Sequence, residues 1–441
     1  MQFGTDGVRG RANSELTAAF ALDLGRAAAR VLGASTAVVG GDSRISTPML
    51  EAAFVAGLSS EGVEVIRLGV APTAAIAFEA AQLGAMGAVV SASHNPYEDN
   101  GIKLFAVGGT KLPDELEQRI EQALVALPAP SGEPGAVHGR RDLGDYIEHL
   151  LGVLQGRDLG GLRVVIDAAN GAASHIAGDV FGRAGAQVVV INASPDGRNI
   201  NAGCGATDPS GLRAAVTAER AHAGIALDGD ADRLIAVDER GDVVDGDHVI
   251  AICANDMRAR GLLRDDTVVV TVMANLGFHL AMRDAGIRVV ETDVGDRYVL
   301  EALLAGGYSL GGEQSGHVIF PEHSTTGDGM LTALTLLDIV QRSGKQLSQL
   351  ADAAMTQLPQ VLVNIEVGAR RPDIAALLAD DIAVAQSALG ETGRILVRAS
   401  GTEPLIRVMV EAPTRELAQS TADGLALRVR AHPELRSHRL A

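Results

Sequence analysis

Tryptophan is missing from the 441 residues, and phenylalanine and tyrosine bring aromatic content to only 3%. Cysteine occurs twice, at Cys204 and Cys253. Two thiols cannot build a disulfide framework and suit a reducing compartment, which points to the cytoplasm. No apolar run approaches the ~20 residues that cross a bilayer. The first residues, Met1–Asp6, lack the basic and apolar regions of a signal peptide. Positive charge is also short: Lys+Arg number 37 against 55 Asp+Glu, for a formal net charge of −18. That balance argues against nucleic acid and against an anionic membrane surface as partners. An anionic small ligand would need its counter-charges gathered locally.

What is present is 47% hydrophobic residues and 52 glycines, enough for several cored domains with many close turns. A strand–helix–strand–helix–strand pattern occurs three times. The first copy has Thr36–Val39, closed by Gly40-Gly-Asp-Ser-Arg44, then Gly62–Ile66, then Ala85–Val90. The second has Arg163–Asp167, Gln187–Ile191 and Gly224–Leu227. The third has Thr267–Val272, Ile287–Val290 and Tyr308–Leu310. Strands alternating with helices predict mixed, largely parallel α/β sheets. An amphipathic helix is expected over Leu16–Leu32, a linker over Leu127–Gly139 and a helix over Leu143–Leu151. After about Leu362 the pattern changes to strands Val363–Val367, Arg394–Val397 and Leu405–Val410, a small α+β domain. The expected domains are 1–150, 151–250, 251–362 and 363–441.

Each third strand runs into a polar loop, and ligands of open α/β sheets sit beyond strand carboxyl ends. The first is Ser91-Ala-Ser-His-Asn-Pro-Tyr-Glu-Asp-Asn-Gly-Ile-Lys103, with a hydroxyl (Ser93), an imidazole (His94) and an amine (Lys103). Asn95-Pro96 and Asn100-Gly101 read as turns. An ordinary surface turn would carry many of the same residues. The second is Asp228-Gly-Asp-Ala-Asp-Arg233 between apolar segments. Three carboxylates so close repel one another, and a hard divalent cation relieves them; Mg²⁺ suits few protein oxygen ligands. An EF-hand would need Gly where Arg233 stands, and its flanks would be helical. A haloacid-dehalogenase-type loop would read Asp-x-Asp-Gly-Thr. The third, Gly312-Glu-Gln-Ser-Gly-His317, offers donors and acceptors suited to hydroxyls. In the C-terminal part, Arg398-Ala-Ser-Gly-Thr-Glu-Pro-Leu-Ile-Arg407 flanks Ser-Gly-Thr with two guanidinium groups, a cradle for phosphate.

Together with Phe3-Gly-Thr-Asp-Gly-Val-Arg-Gly10, these loops resemble the α-D-phosphohexomutase superfamily, in its order and along nearly the whole chain. The resemblance implies three similar α/β domains and a smaller C-terminal one around a central cleft. It implies a phosphoserine at Ser93, and Mg²⁺ held by Asp228, Asp230 and Asp232 with that phosphate. Glu313 and Ser315 would hold sugar hydroxyls. Arg398, Ser400, Gly401, Thr402 and Arg407 would hold the phosphate that is not reacting. Arg9, His94, Lys103, Arg233 and His317 would line the reacting centre, with Lys103 or His317 moving the hydroxyl proton.

The implied activity is an isomerase of sugar phosphates. Within the superfamily the chain looks most like the branch that interconverts glucosamine 6-phosphate and glucosamine 1-phosphate through glucosamine 1,6-bisphosphate. That branch supplies UDP-N-acetylglucosamine and cell-wall precursors. Gln314 and the Phe3-Gly-Thr-Asp start favour it over the branch acting on glucose and mannose phosphates, where Met is commoner. A metal-dependent sugar-phosphate hydrolase or binding protein is the rival of another class. The partner is a small sugar phosphate, and the chain is expected to be a monomer or homodimer. Two departures stand out. Ala231 replaces the commoner Gly and should leave the ligands unharmed, and Asp208 stands where relatives often have His.

Overall fold

The structure, a computed structural model, describes residues 3–4, 6–139, 142–367, 371, 373–399 and 405–432. Contacts divide the chain into two compact units: Met1–Met273 with Ala285–Ala354, and Ala274–Asp284 with Met355–Ala441. No helix among the described residues is long and apolar enough to cross a membrane. Both cysteines are buried and free. Burial pushes their thiols up, to about 11 for Cys204 and about 12 for Cys253.

The first unit holds three sheets. Strands β1 (Val8–Arg11), β2 (Thr36–Gly41), β3 (Glu64–Val70), β4 (Met86–Val90), β5 (Asp99–Phe105) and β6 (Val137–His138) form the first, in the order β1-β5-β4-β2-β3-β6. Strands β7 (Arg163–Asp167), β8 (Gln187–Ile191), β9 (Ala223–Leu227), β10 (Leu234–Asp238) and β11 (Val243–Val244) form the second, ordered β11-β10-β9-β7-β8. Strands β12 (Thr267–Thr271), β13 (Arg288–Thr292), β14 (Gly311–Gly312) and β15 (Val318–Ile319) form the third, ordered β13-β12-β14-β15. One motif underlies all three. The strand that opens each copy lies between its second and third strands, parallel to both. The third then turns back into an antiparallel partner: β4 into β5, β9 into β10, β14 into β15. The three polar loops are therefore equivalent hairpin connections.

The central strands read as continuous apolar runs because both faces are covered. Every residue of β4, β9 and β12 is buried. Helices Ala18–Leu32 and Thr47–Ser60 cover the first sheet with a core that includes Leu24, Phe54, Val39 and Val90. The second unit carries strands β16 (Gln360–Glu366), β17 (Arg394–Ala399) and β18 (Leu405–Glu411) in an antiparallel sheet ordered β16-β18-β17. Helix Arg415–Ala431 contributes Ala418, Ala422, Leu425 and Val429 to its core.

Four local expectations are corrected. Ser91–Lys103 is not one loop, because β5 starts at Asp99 and carries Lys103 on a strand. Asn100-Gly101 is not a turn: Asn100 is buried and donates to Ser46 Oγ at 2.8 Å and Thr47 Oγ1 at 3.1 Å. Tyr308–Leu310 is not a strand; the ladder to β12 is made by Gly311 and Gly312, the second already inside the loop. The expected linker contains an edge strand, β6, pairing parallel with β3.

Gly101 sits where β5 is flanked by β1 and β4. A Cβ there would come within 2.6 Å of Ser91 O and 2.9 Å of Val8 O. Gly101→Ala is therefore expected to cost about 1–3 kcal/mol through overpacking. Chemical denaturation of both proteins reads this directly; an unchanged midpoint would mean that the flanking strands move apart freely.

Candidate active site

The acidic loop between β9 and β10 brings Asp228, Asp230 and Asp232 together, with one ligand oxygen from each within 4.8 Å of the others. All three are buried. Oδ1 of Asp230 and Oδ1 of Asp232 are enclosed without a hydrogen-bond partner among the described residues. Buried polar atoms are rarely left so. Orphaned carboxylate oxygens converging from one turn are a donor set that suits a hard divalent cation, so the residues fit the expected metal. Burial first, then the charges of Asp232 and Asp230, push the Asp228 carboxyl well above the usual range.

Ser93 faces this loop, with Oγ donating to Asp228 Oδ2 at 2.5 Å. The ordinary surface turn that the same residues could have made is not what forms. Ser93 is 1% exposed, because the connection after β4 packs against the second sheet's acidic turn. Its φ of +51° is left-handed, a region a non-glycine residue occupies at a cost of order 1–3 kcal/mol. His94 Nδ1 lies 3.3 Å from Ser93 Oγ. Burial, then Arg233 and Arg9, hold the imidazole down to about 4, so it is uncharged at neutral pH.

Cations and carboxylates alternate around the loop. Lys103 Nζ lies 2.8 Å from Asp6, 2.8 Å from Asp230 and 3.2 Å from Asp232. Burial would lower its proton affinity, but those carboxylates outweigh it and hold the ammonium well above its usual range. Asp6 also pairs with Arg9 at 2.7 Å and with Lys111 at 3.1 Å. Lys111 pairs in turn with Asp296. His317 closes the ring, 3.7 Å from Asp232 and 3.5 Å from Asp296. Its Nε2 accepts the Gly327 N–H at 3.0 Å. Arg233 Nε stands 3.8 Å from Asp232 Oδ1. Arg9, Lys103, Arg233, His94 and His317 thus all gather at the acidic loop. Asp6, Lys111 and Asp296 belong to the same network and were not singled out by the sequence. Asp6 lies inside the N-terminal motif and could have been; Lys111 and Asp296 carry no local signal.

On the third loop, Glu313 Oε1 accepts the Gly295 N–H at 3.3 Å, and Ser315 Oγ lies 3.5 Å from Oε2. Gln314 turns away and donates to Asp245, which caps helix Gly246–Ala259. In the second unit, Arg398 and Arg407 are directly opposed across the β17–β18 ladder. Like charges so placed destabilise a sheet unless something neutralises them. Burial and then Arg407 lower the proton affinity of Arg398, and Arg407 Nε is enclosed without a partner among the described residues. Both observations favour an anion. Ser400, Gly401 and Thr402 lie outside the described residues.

The two departures now have local explanations. Asp208 accepts the Ser210 N–H at 3.2 Å, at the first turn of helix Ser210–Glu219. Ala231 leaves the triad assembled, but its φ is +59°, where glycine carries no Cβ penalty. The substitution is harmless to the ligands and not to the backbone.

Profiles of the phosphoglucomutase/phosphomannomutase alpha/beta/alpha domains I, II and III match residues 1–128, 144–241 and 245–358, and that of the C-terminal domain matches 362–428. A protein named phosphoglucosamine mutase from Rhodococcus opacus is 54% identical, covering 96% of this chain and 98% of its own. One of the same name from Frankia casuarinae is 56% identical, covering 97% and 98%. The crystal structure of a phosphoglucomutase/phosphomannomutase family protein from Burkholderia thailandensis superposes with a TM-score of 0.80 at 25% identity, covering 97% of each chain. The chain therefore belongs to the phosphoglucomutase/phosphomannomutase family, the α-D-phosphohexomutase superfamily, and within it to the phosphoglucosamine mutases.

Proposed function

We propose that this enzyme interconverts glucosamine 6-phosphate and glucosamine 1-phosphate through a phosphoserine at Ser93 and a glucosamine 1,6-bisphosphate intermediate. The observation that carries the reading is the buried Ser93 Oγ hydrogen-bonded into a triad of carboxylates with orphaned oxygens. The relatives named phosphoglucosamine mutase, at 54% and 56% identity, support glucosamine over glucose or mannose phosphate. The enzyme works in the cytoplasm, in keeping with two free, buried thiols.

Asp228, Asp230 and Asp232 would hold Mg²⁺ together with a phosphoryl oxygen on Ser93; bound there, the cation neutralises charge on the group in transit. The chain's own residues do the rest. Transfer breaks the P–O bond to Ser93 and forms one to the free sugar hydroxyl, whose proton ends on Ser93 Oγ. Lys103 or His317, 3.2 Å and 3.7 Å from Asp232, would take and return that proton. Arg9, on β1, and Arg233, at the end of the metal loop, balance the phosphoryl charge, a purely electrostatic task. His94, being neutral, can accept a hydrogen bond beside Ser93 without adding charge. After the first transfer the bisphosphate turns over and returns its other phosphoryl group to Ser93.

Glu313 and Ser315 hold sugar hydroxyls in both orientations of the sugar. Glu313→Gln is therefore expected to lower kcat/KM in both directions of the reaction. Impairment in one direction alone would show that the loop serves a single orientation. Arg398, Ser400, Gly401, Thr402 and Arg407 form the cradle for the phosphate that does not react. A charge-assisted contact of about 1.5–3 kcal/mol corresponds to roughly ten- to a hundredfold in affinity. Arg407→Ala should raise KM by that factor, and an unchanged kcat/KM would put the phosphate elsewhere. The overall reading is tested by following both sugar phosphates and inorganic phosphate together.

A further inference from the structure

The connection carrying Ser93 is held from both sides by side chains that the sequence did not mark. Arg44, on the loop leaving β2, is 1% exposed, and its guanidinium pairs with Asp42. Its Nη2 donates to Ser93 O at 3.1 Å and to Asn95 O at 2.5 Å. Asn201, from the second sheet's β8–β9 connection, donates through Nδ2 to the same two carbonyls, at 2.9 Å and 3.2 Å. Asp42 also accepts from Ser91 Oγ at 2.6 Å, and Ser91 Oγ accepts the Ser93 N–H at 2.8 Å. The backbone of Ser93 is thus fixed at both its amide and its carbonyl, by residues from two different sheets.

The acidic loop is fitted against this clamp. A Cβ at Gly229 would come within 2.5 Å of Ser93 O and 2.8 Å of Asn201 Nδ2. Ser93 at φ +51° and Asn201 at φ +56° are both left-handed. Such conformations persist only where their surroundings over-determine them. Released from its carbonyl donors, Ser93 would relax toward extended or right-handed backbone, and Oγ would leave the position that faces Asp228.

We infer that Arg44 and Asn201 are positioning residues for phosphoryl transfer. They clamp the Ser93 and Asn95 carbonyls so that the serine oxygen stands against the acidic loop. This rests on the reading that Ser93 carries the phosphoryl group. The donors of the clamp are spent on the Ser93 and Asn95 carbonyls and not on the residues assigned to the sugar, so its loss should alter turnover and not substrate affinity. A misplacement of about 1 Å costs on the order of a hundredfold in rate.

The test uses Asn201→Gly, which tolerates the left-handed backbone and removes both donors, and Arg44→Lys, which keeps a charge beside Asp42 but loses the planar fork. Expected for each is a fall in kcat of about ten- to a hundredfold with KM for glucosamine 6-phosphate within about twofold of wild type. Phosphorylation of Ser93 by added glucosamine 1,6-bisphosphate, followed by intact mass, should slow in parallel, with the thermal midpoint of Asn201→Gly close to wild type. Unchanged kcat in Asn201→Gly overturns the clamp, and so does a rise in KM that accounts for the whole loss. Ser93→Ala is run alongside. If it retains full activity, the phosphoenzyme reading falls and takes the clamp with it. If it is inactive while Asn201→Gly is fully active, only the clamp is lost.

Discussion

Ser93→Ala is expected to lower mutase turnover by at least about a thousandfold, the scale on which enzymes lose rate with their nucleophile. The protein should stay folded. Alanine at φ +51° is no more strained than serine, and the hydroxyl removed contributes only a hydrogen bond to Asp228 and a longer one, at 3.3 Å, with His94. The neighbouring Ser91 cannot substitute. Its Oγ is committed to Asp42 at 2.6 Å and to the Ser93 N–H at 2.8 Å. In wild type, peptide mass spectrometry should find phosphate on Ser93; in the variant the site is gone. Full activity in Ser93→Ala would remove the phosphoenzyme scheme.

Asp230→Asn should reduce kcat by about a hundred- to a thousandfold and raise the Mg²⁺ concentration needed for half-maximal rate. Asp230 lies at the crossing of several contacts. Its Oδ2 accepts from Thr73 Oγ1 at 2.7 Å and from Lys103 Nζ at 2.8 Å, which leaves Oδ1 as the orphaned oxygen. The amide keeps the volume but lacks one carboxylate charge, so both the cation and Lys103 lose a counter-charge. Chelation of wild type should give the same loss, reversibly on adding Mg²⁺. Undiminished wild-type activity in excess chelator would refute the metal assignment.

The threefold repeat was legible because parallel strands buried on both faces must be short apolar runs, and their ends are marked by abrupt polarity. The same logic located the acidic loop and the Ser93 loop. Strands β5, β14 and β6 were not legible, each for its own reason. β5 begins Asp99-Asn-Gly, residues that announce a turn, yet Asn100 is buried and Gly101 is present because three backbones crowd there. β14 consists of two glycines, poor strand formers chosen for space: a Cβ at Gly311 would lie 2.7 Å from Val269 O. β6 is two exposed residues in a proline-rich stretch.

Long-range electrostatics left no trace at all. Lys111 and Asp296 meet across 185 positions, and Arg44 reaches Ser93 across 49. Arg44 was visible as the end of a strand-closing turn, but nothing local shows that its guanidinium supports the reactive serine. Gln314, read as a mark of substrate choice, makes its contact with a helix cap.

The most direct measurement incubates wild type with Mg²⁺, a trace of glucosamine 1,6-bisphosphate and either glucosamine 6-phosphate or glucose 6-phosphate. The 1-phosphates and inorganic phosphate are followed by ³¹P NMR. Expected is conversion to glucosamine 1-phosphate, faster than glucose 6-phosphate is converted, with no inorganic phosphate accumulating. Release of inorganic phosphate at the rate of sugar consumption, without 1-phosphate, would contradict a mutase.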